Sequence, residues 1–130
     1  MANENPLGRL PNSFTAGGTI VKGNILKMDS TARTVIKTTA ITDFVIGVAL
    51  NDASSGDQVN VATGGICKVI AAAATTLNAE LMPHGTTNGT VADAAGATAR
   101  SIGIGLEAAG AAGDIIEMFL LHCPKGPPNS

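Results

Sequence analysis

Four carboxylates stand where chemistry would be sought first. Asp52 and Asp57 flank the loop Ala53-Ser54-Ser55-Gly56, and Glu107 and Asp114 flank a second, Ala- and Gly-rich loop. A doubled pair of acids on loops is one way to hold calcium, a hard cation that takes oxygen ligands. The plainer chemistry is that of the turn. An Asp after Gly accepts hydrogen bonds from nearby backbone N–H groups and tolerates unusual φ. The turn role is the expectation for all four, with no metal.

The remaining reactive types are His84, His122, Cys67 and Cys123. His122 and Cys123 are adjacent, and neighbours on a strand point to opposite faces, so one zinc ion cannot easily take both. A Cys-His nucleophilic pair needs a third group to orient it. The two cysteines lack CxxC spacing. They could form one disulfide, but free buried thiols are expected in a protein assembled in a cytosol. Gly64-Gly65 lacks the spacing of a phosphate loop. Gly103-Ile104-Gly105 lacks both a third glycine and a following helix. No GxSxG elbow occurs. The residues therefore predict no catalytic, cofactor or metal site, and no enzyme.

Composition narrows the partners. Of 130 residues, 45% are hydrophobic and only 14% charged, against roughly 25% in ordinary soluble domains. The aromatic residues are Phe14, Phe44 and Phe119 alone, so the core must be Ile, Val, Leu and Ala. So little charge predicts a surface partly covered by partners. The net charge is −2, without a basic run, which argues against nucleic-acid binding through phosphates. Without Trp or Tyr there is little for bases or sugars to stack on. Every apolar run falls short of the roughly 18 residues of a membrane span. The polar, acidic start predicts no signal peptide.

The elements that position these residues come as a repeat. Ile46-Gly47-Val48-Ala49-Leu50, closed by Gly56-Asp57, returns as Ile102-Gly103-Ile104-Gly105-Leu106, closed by Gly113-Asp114. A gapless slide of 56 residues pairs Ala16 with Ala72, Thr19 with Thr75, Ile25-Leu26 with Leu81-Met82 and Thr34-Val35 with Thr90-Val91. It gives ten identities in 41 pairs, and the second copy carries one extra loop residue after Leu106. Short strands are expected at 19–21, 25–28, 34–37, 44–50, 59–61, 66–70 and 114–123, with turns at Gly- and Asp-rich points. Gly is needed at those turns because positive φ is cheap only there. Ala71–Ala74 has helical propensity, but the repeat favours strand or turn.

This pattern predicts an all-β fold: a small β-barrel or β-clip-like domain built from two pseudo-repeats, about 16–56 and 72–113, within a body of 19–123. Residues 1–18 read as an extended N-terminal arm. Pro6 and Pro11 keep it irregular, and Leu7, Arg9, Leu10 and Phe14 are its candidate partner-contacting residues. Residues 124–130 form a Pro-rich tail, expected to be extended.

The residues also carry a resemblance. Gly-Gly-Thr-Ile-Val-Lys-Gly-Asn (17–24), Val-Ile-Gly-Val-Ala-Leu with Ser-Ser-Gly-Asp-Gln-Val-Asn-Val (45–61), Ala-Glu-Leu-Met (79–82) and Ser-Ile-Gly-Ile-Gly-Leu-Glu-Ala-Ala with Ala-Gly-Asp (101–114) resemble the phage capsid decoration, or head cement, proteins. The resemblance covers roughly 16–121. It implies a small β-rich virion protein, made in the host cytoplasm and seated as a homotrimer on the outer surface of an icosahedral head. There it would bridge and stabilise major capsid protein subunits, with no cofactor, nucleic acid or membrane involved. The chain departs in its Pro-rich tail and in Asn24 and Glu80, where the family more often has Asp. The alternative function is a β-clip module for a small ligand or carbohydrate.

Overall fold

A computed structural model of the chain describes residues 13–94 and 101–121. The fold is all-β, with ten strands among the described residues and no helix. The first five are β1 (Ser13–Ala16), β2 (Ile25–Met28), β3 (Thr34–Lys37), β4 (Gly47–Ala49) and β5 (Gln58–Ala62). The second five are β6 (Gly65–Ile70), β7 (Glu80–Pro83), β8 (Val91–Asp93), β9 (Gly103–Gly105) and β10 (Ile115–Leu120).

Each five makes one sheet, and the two sheets have the same plan. The first runs β3-β2-β4-β5-β1 and closes into a barrel through parallel pairing of β1 with β3. The second runs β8-β7-β9-β10-β6. There β6 and β8 meet only at the isolated parallel bridge Ala71↔Val91, so the second barrel keeps an open seam. The first barrel fills that seam. Ile70 N–H donates to Gly23 O at 3.3 Å, and Ile25 N–H donates to Gly89 O at 2.9 Å, which threads residues 23–25 between β6 and the turn before β8.

Burial alternates where strands have one open face and fails to where both are covered. In β10 exposed and buried residues alternate along most of the strand, the period of two that a pleated strand imposes. All of β4 is buried because its outer face packs on the other barrel. Two cores result. Val35, Ala49, Val59 and Val61 with Leu26 and Ile20 fill the first barrel. The second core, around Val69, Leu81, Ile116 and Met118, also takes in Ile25, Val45 and Val48 from the first barrel.

Matching hydrogen bonds fix which residues correspond, and they revise the gapless slide. Gly56 N–H donates to Ala16 O as Gly113 N–H donates to Ala71 O, so Ala16 corresponds to Ala71 rather than Ala72. Leu26 corresponds to Leu81 and Ile25 to Glu80, an offset of 55. From β3 onward the offset is 56, because the turn between Pro83 and Val91 is one residue longer than that between Met28 and Val35. In β5 and β10 it is 57: Ala62 corresponds to Phe119. One-residue changes sit in turns because a slip within a strand would turn its core face outward.

Other expectations also change. The arm expected over 1–18 loses its last residues to the body, because Ser13–Ala16 is β1 and closes the barrel. Residues 19–21 contribute only a bridge, Ile20↔Ala53. The strand expected over 44–50 shortens to 47–49, since a turn at 40–43 leads into it and leaves Phe44 exposed. Ala71–Ala74 is not helical; Ala71 N–H and C=O are spent on Asp114 O and Gly113 N–H.

Candidate functional site

The four carboxylates accept backbone hydrogen bonds. Asp57 Oδ2 accepts from Ser54 N–H at 3.2 Å, and Asp114 Oδ2 from Gly110 and Ala111 N–H at 2.9 and 3.1 Å. Asp52 Oδ1 accepts from Lys22 N–H at 2.8 Å. Glu107 Oε1 accepts from Glu117 N–H at 2.8 Å, the position that Asn51 Oδ1 fills for Asn60 N–H in the first barrel. These groups hold loops in shape. Among the described residues no cluster of His, Cys, Asp or Glu could hold a metal ion.

Cys67 is a buried free thiol, and burial pushes its pKa up, away from reactive thiolate. His84 Nδ1 accepts from Thr86 and Thr87 N–H at 3.2 and 3.0 Å, a local turn. His122 and Cys123 lie outside the described residues. Two hollows of about 260 and 380 Å³ open on the surface, one lined by Ile20, Asp52 and Asp57 among others, the other by Lys22, Gly23, Lys68 and Ile115. Neither is lined by an aromatic ring on which a sugar could stack.

One carboxylate that sequence reasoning passed over is the best organised. Asp43 Oδ2 accepts from Thr39 and Ala40 N–H at 2.7 and 2.9 Å and lies 3.1 Å from Lys27 Nζ. Burial alone would raise its pKa; the backbone donors and the Lys27 ammonium outweigh that and hold it below its ordinary value. An Asp three residues after a turn start was the available signal.

Of the arm residues, Leu7, Arg9 and Leu10 lie outside the described residues. Phe14 is on β1, half-buried against the first core, with the Arg33 guanidinium 4.3 Å above its ring. Arg33 Nη2 also donates to Ser13 O at 2.6 Å. Asn24, where the resembled family more often has Asp, is buried at the barrel junction. Its Oδ1 accepts from Val21 N–H at 2.8 Å and its Nδ2 donates to Gly89 O at 3.3 Å, a bond no carboxylate could make.

The feature most open to a partner is apolar. On the outer face of the second barrel Phe119 lies directly between Ile66 and Ile104 in the ladder. Ile66 is 66% exposed, Ile115 60% and Phe119 41%, and Leu106 is exposed beside them. Neighbouring exposed apolar side chains on one sheet face mark an interaction surface more than scattered ones do. Sequence reasoning missed this face because alternation along β10 reads the same whether its outer side meets water or a partner.

The fold therefore defines a class: an all-β domain of one closed five-stranded barrel and a second five-stranded sheet of the same plan. No family model and no curated protein matches the chain. Among solved structures it is similar to the head fiber gp8.5 N base in bacteriophage phi29, with a TM-score of 0.68 over 85% of this chain and 92% of that one. Sequence identity is 18%, so the likeness is one of fold.

Proposed function

We propose that the chain is a structural protein of a phage virion that decorates and stabilises the outside of an icosahedral head. The observation that carries this is the likeness of fold, over most of both chains, to the N base of a phage head fiber. The sequence resemblance to head cement proteins points the same way from independent grounds. On this reading the chain bridges neighbouring major capsid protein subunits, associates with itself as a homotrimer and performs no catalysis. Residues ahead of β1, with Leu7, Arg9 and Leu10, contact the capsid, and Phe14 is held against the first barrel's core. A protein that binds only the assembled shell stabilises it by mass action.

The test is attachment to purified heads that lack the protein. Deletion of residues 2–12 leaves β1 intact and is expected to abolish attachment while the body keeps its β-type circular dichroism. Undiminished attachment of the deleted chain would remove the arm from the reading. Failure of the full chain to bind any head, or to raise the temperature at which heads open, would overturn the reading itself.

A further inference from the structure

The two barrels share one plan, but among the described residues only the first has its docking face covered. In the first barrel that face is made by Ile25, Val45 and Val48, all buried in the second core, with Ala62 packed against it. The hydrogen-bond correspondence places Glu80, Ser101, Ile104 and Phe119 at the same four positions of the second barrel. There no described part of the chain covers the face. Phe119 and the flanking Ile66 stay exposed, and Glu80 stands in place of Ile25.

The surface that receives the first barrel also has a counterpart. Within the chain β4 lies against β6, Gly23 packs on Ile70, and Ile25 bonds to Gly89. The positions equivalent to β6, Ile70 and Gly89 are β1, Thr15 and Arg33 of the first barrel. Arg33 even shares the left-handed backbone of Gly89, with φ of 58° against 75°. Thr15 and Arg33 are exposed, as are Asn78, which corresponds to Gly23, and Glu80. Positions that mate within the chain as Ile25 and Gly89 thus recur as Glu80 and Arg33, opposite charges at two exposed positions.

We infer that copies of this chain associate head to tail, the Ile66–Phe119–Ile104–Glu80 face of one second barrel docking on the Phe14–Arg33 side of the next copy's first barrel. The inference rests on the self-association named under the proposed function and assigns its surfaces. β9 lies against β1 of the neighbour, as β4 lies against β6 within the chain. Glu80 pairs with the guanidinium that already stacks on Phe14, and Asn78 meets Thr15. One difference sets the strength of the contact. Thr15 N–H is bonded to Arg33 O at 2.8 Å, so the first barrel's seam is zipped. The neighbour binds through side chains, without the threaded backbone that joins the barrels within one chain. Such a heterologous contact closes into a ring when its rotation allows.

Two single variants in a Cys123→Ser background, Thr15→Cys and Asn78→Cys, test the geometry. Mixed and oxidised, they are expected to give an inter-chain disulfide, and neither alone should. A disulfide needs Cα atoms within about 7 Å, so no cross-link in the mixture, or equal cross-linking by either variant alone, overturns the inference. Charge reversal tests it separately. Glu80→Arg and Arg33→Glu should each weaken association by about tenfold in light scattering, and the double reversal should recover most of it. No recovery, or a full chain that is monomeric at every concentration, also overturns it. Head binding by such a monomer would leave the proposed function's capsid role standing; cross-linked oligomers that bind no head would sustain the inference and remove that role.

Discussion

Among the described residues the loop carboxylates accept backbone hydrogen bonds, and Asp43 shows the physics most directly. One carboxylate oxygen accepts two backbone N–H groups and faces Lys27. Its pKa is held below the ordinary 3.8. A depressed carboxyl contributes stability that is complete above the unfolded value. That contribution is lost as the pH falls through the folded value, because the unfolded chain takes up its proton first. Urea unfolding of the wild type should therefore weaken below about pH 4, and Asp43→Asn should remove part of that dependence while leaving the rest of the acid limb. At pH 7, Asp43→Ala should cost about 1–2 kcal/mol, the scale of an N–H-satisfying side chain lost at a turn. An unchanged acid limb in Asp43→Asn would show that other carboxylates carry it.

At the scale of the element, the repeated phrase is a strand whose glycine has a packing task. Gly47 and Gly103 correspond, and each is the first residue of its strand, β4 and β9, paired to a neighbouring strand instead of sitting in a turn. A Cβ on Gly47 would run into Ala62 O and the Val61 side chain; one on Gly103 would run into Phe119 O and Met118. The neighbouring strand's backbone has come in too close for any side chain. Gly47→Ala and Gly103→Ala should each destabilise by about 1–3 kcal/mol, the cost of overpacking where the neighbour is backbone and cannot yield. Gly64→Ala, with open space around it, should change stability by less than about 0.5 kcal/mol. Chemical denaturation of the three variants measures the contrast, and equal effects at Gly47 and Gly64 would contradict it. Gly56 and Gly113 have the other reason to be glycine, with φ of 92° and 90° in matching turns.

At the scale of the molecule, the two barrels form one structure rather than two beads. Ile25, Val45 and Val48 belong to the first barrel's chain and to the second barrel's core. Residues 23–25 also supply the backbone partners that the open seam of the second barrel requires. Removing the first barrel would leave that seam's N–H and C=O groups unpaired and its core uncovered, which folding cannot tolerate cheaply. Heating should thus give one cooperative transition, with calorimetric and van't Hoff enthalpies equal. A residue 65–121 fragment should be unfolded alone. Two resolved transitions, or a folded fragment, would show that the junction is dispensable. The same asymmetry, a first barrel that closes on itself and a second that needs the first, leaves the Ile66–Phe119 face of the second barrel uncovered among the described residues.

The sequence by itself determined the all-β class, the small-residue turns and the existence of a doubled unit. Strand alternation, Gly-Asp exits and matching apolar phrases are local, and local pattern is what a chain writes down directly. It also placed Asp57 and Asp114 correctly as turn residues, because their partners lie within four positions. What it could not carry was the register between distant segments. The offset drifts from 55 to 57 in turns, where one residue more or less hardly affects composition, so a gapless slide misaligned Ala16 and Ile25. It likewise gave Phe14 to an arm, since only the pairing of β1 with both β3 and β5 shows that residue closing a barrel. Only the tertiary structure decided that Val48 is sealed while its counterpart Ile104 stays partly open. Both are apolar residues in the same phrase, and which one meets a neighbour depends on the single seam that happens not to zip.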